Sequence, residues 1–210
     1  MLSNDTDTQV RAHIVECLGD MDQPSKDVLP ALLRALHDTG DHVRCCVVKS
    51  LGGMTPPSPE ILAALLFVLR NDTFFGARWA VIKSLKDLGN LPERAVLAIA
   101  QTLLEDTHEV VRQDCAHLLG QGGTSSEQTI QALLKGLSNE DMQVRKACSQ
   151  ALVRLGQRFP ERRDMITMQL ERIIQEHQDD SLSYFGQSAP SDVAYDALWL
   201  LISGDPFESE

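Results

Sequence analysis

The sequence predicts an all-α fold assembled from stacked pairs of helices. Three observations carry that prediction: an internal repeat of 33 or 34 residues, apolar residues at helical spacing inside every copy, and no segment with the strict alternation of a half-buried strand. The repeat is anchored on five arginines, Arg11, Arg44, Arg78, Arg112 and Arg145, separated by 33, 34, 34 and 33 residues. Six places before them stand Asp5, Asp38, Asp72, Asp106 and, in the last copy, Asn139. One place before stand Val10, Val43, Ala77, Val111 and Val144, and seven places after stand Leu18, Leu51, Leu85, Leu119 and Leu152.

One helix is expected around each arginine, over about 6–19, 40–52, 74–89, 107–120 and 140–157. In the second copy Val43, Val47, Ser50, Leu51 and Met54 share a stripe, and in the third Ala77, Val81, Ser84, Leu85 and Leu88 do the same. Each helix is expected to stop at a glycine: Gly19, Gly52, Gly89, Gly120 and Gly156. Between these helices runs a second amphipathic stretch per copy, DVLPALLRALHD, PEILAALLFVLRN, PERAVLAIAQTLLED and SEQTIQALLKGLSNE. Each opens on Pro, Ser, Asp or Glu, as helix N-termini prefer. Residues 1–160 thus read as the repeat array, and 161–203 as a degenerate capping repeat with Ser191 in the arginine's place. In that cap Trp199 is expected to seal the stack, while the loop aromatics Tyr184 and Phe185 offer a rival docking point. Residues 204–210 form an acidic tail, expected to be solvated. The first helix has no partner before it, so this uncapped end is expected to continue a longer array or to associate with another molecule.

Composition narrows the function classes. The formal net charge is −11, and the last 36 residues hold eight acids and no Lys or Arg. Nucleic acid is disfavoured as a partner, because phosphate binding draws on clustered cations. No run of about 18 apolar residues occurs, so no membrane span is expected. The start has no basic segment followed by an apolar one, which predicts a cytoplasmic protein. The five cysteines contain no C-x-x-C pair and read as small core residues in a reducing compartment, not as a disulfide framework or zinc site. No G-x-S-x-G, H-E-x-x-H or Gly-rich phosphate loop is present, so no catalytic residue, cofactor or metal is expected.

The pattern D-x-x-x-x-V-R-x-x-A/V-x-x-x-L-G, in the form DTGDHVRCCVVKSLGG and DTHEVVRQDCAHLLGQ, resembles the HEAT repeat and its short HEAT-like (PBS-lyase-type) variant. The resemblance covers residues 5–160 well and 161–203 weakly. It implies an armadillo-like α-solenoid, a right-handed α-α superhelix whose second helices line the concave surface. Two enzyme-related families share such repeats. Di-iron hydroxylases carry His-Glu pairs just after the arginine, whereas this sequence has a single His108-Glu109 before it. Bilin lyase subunits are similar in their repeats, which makes an accessory subunit of a modifying enzyme the alternative reading.

For the repeated Asp and Arg the expected role is a structural ladder, with Asp5, Asp38, Asp72 and Asp106 capping helices and Arg11, Arg44, Arg78, Arg112 and Arg145 pairing along the stack. At 100° per residue, offsets −1, +3, +6 and +7 from the arginine face inward, while −2, +1 and +5 face away. The outward rows hold Trp79, Lys83, Lys49, Lys146, His42, Cys45, Gln113 and His117, a mildly basic ridge on an acidic protein. These eight are the candidate partner-binding residues, for a protein or peptide segment. Trp79 is either an anchor for that segment or a ring folded over Phe74, Phe75 or the stem of Lys83.

Overall fold

A computed structural model describes residues 5–21, 26–54, 57–122, 125–176 and 189–203. All regular structure among them is helical, in eleven elements. They divide into two compact units, up to Gly89 and from Asn90 onward.

The first unit holds α1 (Thr8–Gly19), α2 (Val28–Ala35), α3 (Asp41–Gly53), α4 (Pro59–Asn71) and α5 (Phe75–Lys86). The arginine-bearing helices stack in order, α1 on α3 and α3 on α5, and α2 and α4 pack against them as a second layer. The second unit repeats the plan with α6 (Glu93–Glu105), α7 (Glu109–Gln121), α8 (Glu127–Gly136), α9 (Met142–Arg158), α10 (Pro160–Glu176) and α11 (Pro190–Ser203). Here α7, α9 and α11 form one row and α6, α8 and α10 the other.

Local chemistry fixes the helix starts. Asp7 accepts the Gln9 N–H at 2.8 Å, Asp141 accepts those of Gln143 and Val144, and Ser58 and Ser126 cap α4 and α8 from three residues back. The apolar stripe behind each start fills the space between layers. Leu51, Leu65 and Leu85 are fully buried in the first unit, and Leu103, Leu119, Ile130 and Leu152 in the second. Burying each such side chain stabilises by about 1.5–3 kcal/mol. In the inward +3 row, Val47, Val81, Cys115 and Cys148 are wholly buried.

Three expectations need correction or refinement. The glycines expected to end the helices do stand in the last turn, Gly19 as the final residue of α1 and Gly52, Gly120 and Gly156 one or two places inside their ends, where they also permit close approach. A Cβ on Gly52 would fall 2.3 Å from Ser84 Oγ, and one on Gly120 would fall 2.7 Å from Ala151 Cα. The same relation holds for Gly19 against Ser50 and for Gly156 against Leu201. Only Gly89, at φ 69°, takes the left-handed conformation of a terminator. Second, Trp199 does not seal the last repeat. It is 54% exposed, and Val193, Ala194, Ala197 and Leu201 make the buried face of α11. Third, Val10, expected inward, is 41% exposed, because α1 packs chiefly on α3 and its other side is little covered among the described residues. Tyr184, Phe185 and the acidic tail 204–210 lie outside the described residues.

Candidate functional site

Each repeat arginine is tied to the turn of its own copy. Its Nη1 donates to the carbonyl of the residue six places back: Arg11 to Asp5 at 2.9 Å, Arg44 to Asp38 at 2.9 Å, Arg78 to Asp72 at 2.8 Å, Arg112 to Asp106 at 2.8 Å and Arg145 to Asn139 at 2.7 Å. In Arg11, Arg44 and, at longer range, Arg112 the rest of the guanidinium also reaches the next copy. Arg11 donates from Nε and Nη2 to both oxygens of Asp38 at 2.8 Å, and Arg44 grips Asp72 in the same bidentate way at 2.7 and 2.8 Å. The ladder acids do not cap the helices directly, which corrects the sequence reading. Each accepts the N–H two residues on: Asp5 from Asp7, Asp38 from Gly40, Asp72 from Phe74, Asp106 from His108 and Asn139 from Asp141. They shape the turn that delivers the N-cap residue. The Arg11 guanidinium holds the Asp38 carboxyl below the usual range. Burial alone would raise Asp72, but the bonds from Arg44 and the Phe74 N–H win and lower it.

The eight candidate docking residues differ in exposure and partners. Trp79 is 37% exposed on α5, with Lys83 Nζ 5.1 Å from its ring centre, so ring and cation form one amphipathic patch. Lys49 on α3 and Lys146 on α9 are exposed, and Gln113 and His117 on α7 are half-buried. Cys45 is only 9% exposed, which removes it as a contact residue. Position +1 sits at the edge of the helix seam, where a short side chain is covered and only long ones such as Trp79 and Lys146 reach solvent. His42 is exposed but turns toward Cys46, with Nε2 3.8 Å from Sγ.

Two arrangements were missed from sequence. On α11, Tyr195, Trp199 and Ile202 are 61%, 54% and 67% exposed, and Tyr195 and Trp199 join Lys146 and Gln150 of α9 around a groove of about 680 Å³. The signal was present: DVAYDALWLLIS is apolar on both faces, one more than packing needs. The second is a cluster of Glu16, His42 and Cys46, whose donor atoms all lie within 4.8 Å of one another. Cys46 Sγ donates to Glu16 Oε1 at 3.4 Å. Burial, followed by that bond and the Glu16 charge, pushes the Cys46 thiol up to about 11. His108, by contrast, has a structural task, accepting the Val110 N–H on Nδ1 as the N-cap of α7.

No curated protein matches the sequence. Forty-three solved chains match in structure. One engineered protein aligns with a TM-score of 0.53 at 17% identity, over 98% of this chain and 57% of its own, so this chain spans little more than half of that protein. Two further engineered proteins align at TM-scores of 0.52 and 0.50, with 15% and 17% identity, covering 97% and 99% of this chain and 96% of each of theirs. At such identities the likeness shows the fold alone. No helix among the described residues is long and apolar enough to cross a membrane. The family model for HEAT repeats matches residues 1–86 and 96–172, which cover both stacks and the full arginine ladder. The chain belongs to the HEAT-repeat family and is an all-α repeat scaffold, an α-solenoid.

Proposed function

We propose that this scaffold has no catalysis of its own and binds an acidic, extended protein segment on the surface of its arginine-bearing helices. The observation that carries the reading is the placement of large exposed rings beside lysines, Trp79 with Lys83 on the arginine-bearing α5, and Trp199 and Tyr195 of α11 beside Lys146 of the arginine-bearing α9. An exposed Trp is unfavourable in water and is enriched among residues that anchor interfaces. Paired with a cation, it offers an apolar contact together with attraction for carboxylates. The choice of an acidic segment follows from the lysines Lys49, Lys83 and Lys146 standing out on a chain of net charge −11. In this reading residues 161–203 serve twice, capping the stack with one face of α11 and binding with the other.

Affinity capture from cell extract, followed by cross-link mapping, tests it. Wild-type protein is expected to retain species cross-linked near residues 49, 79, 83 or 146, and Trp79→Ala, Lys83→Glu and Trp199→Ala are expected to lose them while melting like wild type. Retention unchanged in all three variants would overturn the reading.

A further inference from the structure

We infer that Glu16, His42 and Cys46 form a Zn²⁺ site between α1 and α3, with solvent at the fourth vertex. His42 and Cys46 stand four residues apart, so α3 presents both on one face. Glu16 reaches them from α1, the helix stacked against that face. The separations from sulfur are 3.4 Å to Glu16 Oε1 and 3.8 Å to His42 Nε2. A tetrahedral zinc with its usual bonds of 2.0–2.3 Å has ligand–ligand edges of about 3.5 Å. Two edges of the cluster already match, and the His–Glu edge, no longer than 4.8 Å, closes by side-chain rotation of two exposed residues. The donor set of one thiolate, one imidazole and one carboxylate suits zinc and excludes a preference for calcium or magnesium, which take oxygen ligands.

The geometry separates anchorage from access. Cys46 is 1% exposed and forms the floor, while Glu16 and His42 stand at the rim. The thiol donates to Glu16 Oε1 across the edge that the zinc would bridge. Binding replaces the thiol proton, which leaves to solvent while the sulfur lone pair forms the Zn–S bond; no electron is transferred. Behind the rim, His13 Nδ1 lies 3.8 Å from Glu16 Oε2, an outer partner able to orient the carboxylate. His13 in turn has Cys17 Sγ 3.6 Å from its Nε2, so α1 repeats the His-x-x-x-Cys spacing of α3.

Co²⁺ titration of the reduced full-length chain reads the site directly. Saturation at one equivalent is expected, with tetrahedral ligand-field bands and a thiolate-to-cobalt charge-transfer band, both displaced by Zn²⁺. Cys46→Ser is expected to abolish the charge-transfer band, and His42→Ala and Glu16→Gln to weaken Co²⁺ binding by more than about tenfold, the low end of what removing even an outer partner costs. Cys17→Ser is expected to keep the band. A titration without a thiolate band, a band that survives Cys46→Ser, or one lost in Cys17→Ser alone would overturn the proposal. Should Cys46→Ser fail to fold, the two rim variants decide: both residues are exposed, and Co²⁺ affinity unchanged in folded His42→Ala and Glu16→Gln would equally overturn it.

Discussion

The Arg44–Asp72 step of the first unit and the Arg112–Asn139 step of the second are built on nearly the same spacing, 28 and 27 residues, and end differently. In both, Nη1 bonds the carbonyl six residues back, and in both the acceptor oxygen of the ladder residue orders the turn two residues on. At Asp72 the second carboxylate oxygen completes a two-bond grip on Arg44. At Asn139 the amide supplies a single acceptor, 3.5 Å from Arg112 Nη2, and Glu140 adds one more contact at 3.5 Å from an 86% exposed side chain. Arg112 Nε is left buried without a hydrogen bond. The difference separates two jobs that one aspartate performs. Turn shaping needs one oxygen and survives the change to asparagine, whereas neutralising the buried guanidinium needs the charge and both oxygens.

The largest effect should come from removing both jobs at once. Asp72→Ala takes the bidentate partner from a guanidinium that is 11% exposed and leaves it the exposed Asp41 carboxylate at 2.7 Å, so it is expected to destabilise by about 3 kcal/mol, the low end for a broken buried pair, in urea unfolding. Asp72→Asn, which copies the natural Asn139 step, should cost clearly less; equal losses in the two variants would mean that the charge is the only contribution.

The converse change sharpens the comparison. Asn139→Asp gives Arg112 the bidentate acceptor it lacks and is expected to stabilise by about 1 kcal/mol, less than a full charged pair because Glu140 and Asp141 are adjacent. In calorimetry this corresponds to about 2–4 °C in Tm. A lower Tm would show that repulsion among the three acids outweighs the grip.

The smallest effect is in pH. Asp38 and Asp72 are held below their ordinary values, so their contribution is fully present above the unfolded carboxyl value of about 4 and is lost as pH falls through the lowered folded value. Unfolding free energy measured from pH 5 down to pH 2 should therefore fall less steeply in the Asp38→Asn, Asp72→Asn double variant than in wild type. Parallel curves would place the acid sensitivity elsewhere.

What the sequence made legible is what recurs. Arginine, ladder acid and leucine at fixed offsets located the helices, their stacking order and the ladder, because every copy meets the same neighbour. Single-copy features were harder to read. Cys45 shares an offset with Trp79, yet side-chain length alone decides which of them clears the seam. The glycines read as helix ends because that is where glycine is common, whereas the close approach of Ser84 to Gly52 depends on the distance between two helices. Glu16, His42 and Cys46 come from offsets +5, −2 and +2 of two successive copies. No motif within one copy contains them, and only the stacking of α1 on α3 brings them within 4.8 Å.

The distribution of thiols has a practical consequence. Four of the five cysteines are core residues as expected, Cys45 and Cys46 in the first unit and Cys115 and Cys148 in the second, but Cys17, on the less covered α1, is exposed and corrects that expectation. Burial raises all four core thiols, Cys148 to about 12, so at neutral pH the zinc-free chain holds them almost entirely in the unreactive protonated form. An alkylating reagent therefore marks Cys17 at once and the remaining pairs only as the surrounding helices open. Mass increments on peptides from either half give each half its own clock, with no dye or engineered cysteine, and reveal whether one end of the molecule breathes before the other.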